Sequence, residues 1–261
     1  MKHILIILIS LSVLSACQST ATRSAFQEDI PLASLKDIEP KRAEFRGLLA
    51  LQKIHAAEQA QNVLYKAKVN MQEAGIKGWV TDISPTKGAL VYFMKGSGRS
   101  PTIVYTVYIP PKGVPQIQKT DQSAPEKLAA MYDARMTAMW SIDEPCTPDY
   151  EIAVLKEGDK LIAIAMASSQ KRNRIVAGGH YRFTYDLNSR DMISKERFSK
   201  GCLLLDKTRS TYLSHYASKE PGEAHVILSL RHGPLFVKSG TGFWEIRKGK
   251  IQKRASIETT K

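Results

Sequence analysis

Cysteine is scarce in this sequence, at 3 residues in 261, and the three stand far apart at Cys17, Cys146 and Cys202. That spacing excludes a disulfide-dense scaffold, and the absence of Cys-x-x-Cys and His-Glu-x-x-His removes the usual zinc frameworks. Long apolar runs are missing as well. The stretch from Ile4 to Val13 falls short of the roughly 20 residues that a spanning helix needs, and no later stretch comes closer. No internal repeat or low-complexity segment occurs, which excludes a solenoid. No Gly-x-Ser-x-Gly occurs either, so the strained serine elbow of many hydrolases is absent. Acidic residues are the last shortage. There are 25 against 38 Lys and Arg, a formal net charge of +13.

What is present begins at the amino terminus. Lys2 supplies a positive start, Ile4 to Ile9 an apolar run, and Leu14-Ser15-Ala16-Cys17 a close of small residues before a cysteine. This order is that of an export signal. Its last four residues resemble the lipobox of bacterial lipoproteins. The resemblance implies that residues 1–16 are removed, that the Cys17 thiol and new amino group are acylated, and that lipid alone attaches the protein to a membrane. In that family an aspartate after the cysteine marks retention in the inner membrane. Gln18 stands there instead, which implies the outer membrane and a body facing the periplasm.

Residues 17–39 are mostly small or polar and read as a tether. Residues 40–261 are long enough for one periplasmic domain, with halves 40–140 and 141–261 as an alternative division. With Cys17 committed to lipid, Cys146 and Cys202 form an even pair in an oxidising compartment. They read as one disulfide, whose loop closure contributes about 4 kcal/mol in the chain-entropy account, with two buried free thiols as the alternative.

Hydropathy periodicity predicts an α+β fold, mainly antiparallel sheet with one long N-terminal helix and one shorter central helix. The first helix is expected from about Lys41 to Ala74, with Pro40 at its start, Gly75 past its end, and a stripe of Phe45, Leu49, Ala56, Ala60, Val63, Ala67 and Met71. The second should start at a capping box, Ser123-Ala-Pro-Glu126, and run to about Trp140. Its Met131, Met136 and Met139 read as core and not as soft-metal ligands. Strands are predicted at Lys77 to Ile83, Ala89 to Lys95, Thr102 to Ile109, Glu151 to Leu155, Lys160 to Ala167 and Ile175 to Leu187. Further strands are expected at Met192 to Arg197, Ala224 to Leu230, Leu235 to Lys238, Phe243 to Arg247 and Ile251 to Lys253. Gly178-Gly179 suggests a bulge inside the long one.

Few constellations carry chemistry. Lys238-Ser239-Gly240 resembles a signature of penicillin-binding proteins, but the partner Ser-x-x-Lys spacings at Ser84 and Ser168 fall in turns, so the segment reads as a hairpin. His180, His215 and His225 cluster late. With His180 and His225 on the polar faces of their strands, they are the candidates for a metal-dependent periplasmic hydrolase. No cofactor is otherwise implied. The segments around His180, Cys202, His225 and Pro234 resemble a set of proteobacterial exported proteins, a likeness that carries no activity.

Charge is the clearest remaining signal. Residues 170–261 hold 19 Lys and Arg against 8 Asp and Glu. The clusters are Lys171, Arg172 and Arg174, then Lys195, Arg197 and Lys200, then Arg247, Lys248, Lys250, Lys253 and Arg254. The first and third are the expected binding surface, for an anionic envelope component or a protein partner, and not for nucleic acid, for which no motif is present. A non-enzymatic binding or envelope accessory role is the leading expectation, and the hydrolase is the alternative.

Overall fold

A computed structural model describes residues 39–97, 99–169, 174–206, 211–215 and 218–255. The chain opens with α1 (Glu39–Lys66), followed by an antiparallel meander of β1 (Gly78–Ser84), β2 (Gly88–Lys95), β3 (Thr102–Ile109) and β4 (Gln116–Ser123). A second helix, α2 (Glu126–Trp140), leads into β5 (Tyr150–Glu157), β6 (Lys160–Ala167), β7 (Arg174–Val176), β8 (Tyr181–Asp186) and β9 (Met192–Arg197). Of these, β5, β6, β8 and β9 form a second antiparallel sheet in that order, and β7 leaves it to pair with β10 (Leu204–Asp206). The chain continues through β11 (Thr211–Ser214), α3 (Glu223–His232), β12 (Leu235–Ser239), β13 (Gly242–Arg247) and β14 (Lys250–Arg254). A parallel β11–β12 pair starts this third sheet and antiparallel hairpins complete it.

Two helices clamp the first two sheets from opposite sides, and the strand sequences reflect it. In β2, Ala89, Val91 and Phe93 pack with Ala56, Ala60 and Leu64 of α1, while Leu90, Tyr92 and Met94 join Leu128, Met131 and Tyr132 of α2. In β6, Ile162, Ile164 and Met166 share a core with Leu51 and Ile54 of α1, and Leu161, Ala163 and Ala165 face α2. Strands covered on both faces lose the polar alternation of a half-exposed strand, so β2 and β6 read as unbroken apolar runs. Sheet three and α3 then cover the amino-terminal half of α1. A Cβ on Gly47 would sit 2.7 Å from Val226 of α3, so the close approach of these helices requires glycine there.

The α+β class, the mainly antiparallel sheets and the long first helix agree with expectation, but the described residues hold three helices rather than two. The segment expected as a strand over Ala224 to Leu230 is α3, wrapped so fully that every residue from Glu223 to Ser229 is buried. Full burial erases the 3.6-residue period, and the run Val226-Ile227-Leu228 then looks like a core strand. The predicted strand Ile175 to Leu187 is broken at Gly178-Gly179 into β7 and β8. Helix α1 stops at Lys66, where Lys68 turns to φ +58 and the Asn70 side chain caps the following turn through the Gln72 and Glu73 N–H groups. Phe45, placed on the core stripe by sequence, is 37% exposed, because the sides of α1 that face the sheets and α3 lie elsewhere. Helix α2 has Pro125 as its N-cap without a side-chain cap, so the Ser123 capping box does not form.

Cys146 and Cys202 are disulfide-bonded, with Cα atoms 5.3 Å apart across a separation of 56 residues. The bond ties the loop after α2 to the loop after β9. It passes directly over Gly179, whose φ is +76° and where an added Cβ would lie 2.0 Å from the Cys146 sulfur. Tyr150 seals the corner. Its hydroxyl accepts from the Cys146 N–H at 3.0 Å and donates to the Gly179 carbonyl at 2.9 Å. Two ion pairs, Lys195 with Asp143 and Arg197 with Glu144, fasten the same loop to β9.

Candidate functional site

The three late histidines are interior groups. His180 and His225, expected on polar strand faces, are both buried, His180 beyond the end of β7 and His225 in the first turn of α3. His180 Nδ1 accepts the Ala167 N–H at 3.0 Å, and burial drives its pKa down to about 4. His225 Nδ1 accepts the Gly222 N–H at 3.2 Å, an N-terminal cap for the helix, and burial holds it well below the usual imidazole range. His215 Nδ1 faces the Phe198 carbonyl at 3.1 Å and must carry the proton, leaving Nε2 to accept from the Ser218 N–H at 3.2 Å. The rings of His215 and His225 meet edge to face at 4.7 Å. Among the described residues no group of three or more His, Cys, Asp or Glu is arranged to hold a metal ion.

The basic positions fare differently from one another. Lys171 and Arg172 lie outside the described residues, as does Cys17. Arg174 pairs with Asp206 at 3.0 Å across β7 and β10. In the third sheet, Glu245 accepts from Arg247 Nε at 2.6 Å and from Arg254 Nε at 2.9 Å. Lys250 reaches across to Glu44 of α1 at 3.1 Å. Lys253 stands 5.5 Å from the Trp244 ring centre, and neither it nor Lys248 forms an ion pair among the described residues. Glu44, Asp143 and Glu144 come from outside the basic segment, so folding neutralises part of an excess that looked whole in the sequence.

One cavity in the body was not marked by any motif. It has a volume of about 220 Å³ and lies where β1 and β5, the edge strands of the first two sheets, approach each other without pairing. Consecutive residues of both strands line it, Trp79 to Thr81 on one side and Tyr150 to Val154 on the other. Successive side chains of a strand point to opposite faces, so a cavity touching every residue lies against the strand edge and its backbone. Helix α1 closes the cavity from one face with Lys53, Ala57 and Glu58, and α2 from the other with Arg135.

Two cations are buried here. Lys53, 2% exposed, donates to the Thr81 carbonyl at 2.7 Å, an edge carbonyl that would otherwise lack a ladder partner. Arg135, 5% exposed, lies over the Trp79 ring at 4.1 Å, and its Nη1 is 3.8 Å from the Met136 sulfur. It has no carboxylate partner among the described residues, and its buried Nε has no hydrogen bond. Burial pushes its pKa down to about 10, still far above neutral, so the guanidinium keeps its charge. At the mouth, burial and the neighbouring Glu151 carboxylate push the Glu58 carboxyl up, while Glu151 is held by Arg231 at 2.5 Å.

By its fold the described part of the chain is an α+β protein, with three four-stranded sheets and one two-stranded sheet, mainly antiparallel, and a first helix whose inner sides pack on the sheets and on α3. Comparison with protein-family models, with curated proteins and with solved structures found no match.

Proposed function

We propose that the chain is an outer-membrane lipoprotein, anchored through Cys17, whose periplasmic body binds an anionic envelope component or a protein partner and does not catalyse a reaction. The observation that carries this reading is the Cys146–Cys202 bond, because structural disulfides persist in exported proteins and are rare in reducing compartments. The start of α1 adds support. Glu44 accepts the Ile251 N–H at 2.8 Å, so the hairpin of β13 and β14 packs beside the point where a tether of residues 17–39 would join the body. Lys248 and Lys253 are on that hairpin, and near an anionic bilayer surface each such cation adds about 1 kcal/mol.

The hydrolase reading needs histidines converging on an open pocket, and here they serve the interior and a helix cap, which favours the binding reading. The test is Cys17→Ser in the full chain. The variant should be neither acylated nor cut by the lipoprotein peptidase, and should leave the outer-membrane fraction. Normal processing and outer-membrane fractionation of Cys17→Ser would refute the anchor.

A further inference from the structure

We propose that the cavity between β1 and β5 is a binding site for a small monocarboxylate with a compact apolar body, the carboxylate meeting Arg135. This goes beyond the anchoring and surface contact proposed above and does not depend on either.

The argument starts from Arg135. A guanidinium that is 5% exposed with no carboxylate partner among the described residues is costly, since buried charges are normally paired. The Trp79 ring, stacked on its face at 4.1 Å, compensates only in part and leaves the edge of the fork as the place for an acceptor. Arg presents planar donors that match a carboxylate in two parallel hydrogen bonds. A single charge is the appropriate complement. Glu58 and Glu151 stand at the mouth and would oppose a dianion.

The remaining wall sets the rest of the ligand. Ile54, Ala57, Val80, Ile152 and Val154 present hydrocarbon, while Lys53 is already engaged by the Thr81 carbonyl, so the body is mainly apolar. A cavity of about 150 Å³ holds benzene in an engineered protein. The 220 Å³ here therefore suits a ring or branched chain plus one carboxylate, and is too small for a peptide strand between the two edges. The open edges of β1 and β5 add backbone donors and acceptors for a ligand polar group.

The experiment uses the full chain in detergent and titrates benzoate by calorimetry, with empty micelles as blank. Benzamide is the neutral isostere and inorganic phosphate the competing anion. Benzoate should saturate one site, with benzamide and phosphate each at least about tenfold weaker, a difference of about 1.4 kcal/mol. Arg135→Gln should weaken benzoate by at least the same factor. Ala57→Leu fills the cavity from α1 without changing charge and should abolish binding, which keeps the test decisive if Arg135→Gln fails to fold. The proposal is overturned by no saturable benzoate binding, by benzamide or phosphate binding as tightly as benzoate, by benzoate affinity unchanged in folded Arg135→Gln, or by benzoate affinity unchanged in Ala57→Leu.

Discussion

Glu223→Gln should be among the most destabilising single changes in the body. Glu223 is 0% exposed at the first position of α3. Its oxygens take Arg182 Nη1 at 2.8 and 3.0 Å and Arg46 Nη1 at 3.1 Å. The chain of charges continues outward, from Arg46 to Glu157, which also holds Arg42, and from Arg182 to Glu196. Removing one partner of a buried pair costs about 3–5 kcal/mol. Each arginine here keeps a second carboxylate, so the low end, about 3 kcal/mol, is expected, and for a body of this size about 2–4 °C per kcal/mol gives a fall in Tm of roughly 6–12 °C.

The pH dependence of that difference has a definite sign. Burial pushes the Glu223 carboxyl up, but Arg182 and Arg46 outweigh it and hold the group below its ordinary value. A depressed folded pKa means that the unfolded chain takes up the proton first as pH falls. The stabilisation is therefore fully present above the unfolded carboxyl pKa of about 4.3, and is lost as pH drops through the folded value. Urea midpoints of parent and Glu223→Gln at neutral pH, and again below pH 4, give both numbers. A variant melting within about 2 °C of the parent at neutral pH, or a gap that widens on acidification, would refute the reasoning.

Four further outcomes are expected. Replacing Cys146 and Cys202 together by serine should cost about 2–5 kcal/mol in chemical denaturation. Gly179→Ala should lower the fraction of oxidised protein seen by thiol alkylation and mass, since its Cβ would meet the Cys146 sulfur. Because His180 and His225 are buried with lowered pKa values, the unfolded imidazoles protonate first. Stability should thus fall as pH drops below about 6.5, by at most about 1.4 kcal/mol per unit per histidine, and His225→Gln should flatten that slope between pH 7 and 5. Finally, Lys250→Gln with Arg254→Gln should reduce stability by about 1 kcal/mol or less, because both cations are exposed and the buried Glu44 and Glu245 keep Lys41 and Arg247, and leave retention on anionic liposomes unchanged. Lys248→Gln with Lys253→Gln should weaken retention and its salt dependence, and equal effects of both pairs would remove the hairpin surface from consideration.

Sequence reading succeeded where composition and position agree. The bounds of β3 and β6 match expectation because each is a largely apolar run bounded by turns. It failed where tertiary contact decides. Strand β4, Gln-Ile-Gln-Lys-Thr-Asp-Gln-Ser, has almost no buried side chain and is held by its ladder to β3, so nothing in its pattern marks it. For α3 the legible signals were the flanking Gly222 and Gly233 and the acidic first residue, which the apolar run between them outweighed. Arg135 carried no signal of its own within α2, and the facing edges of β1 and β5 are not encoded locally at all. Counting charges by segment misled for the same reason, since Glu44, Asp143 and Glu144 reach the basic clusters only after folding.

Helix α1 is translated first among the folded elements, yet the hydrogen bond from Ile251 to Glu44 spans 207 residues. Its Arg46 likewise waits for Glu223, 177 residues later. An emerging chain therefore carries a helix whose carboxy-terminal half finds the first sheet early, while the charged groups of its amino-terminal half wait until nearly all of the remainder has appeared. Contacts this distant form late and slowly. Under the export proposed above, such an arrangement would delay full compaction on the side of synthesis and leave the native state to form on the side of arrival.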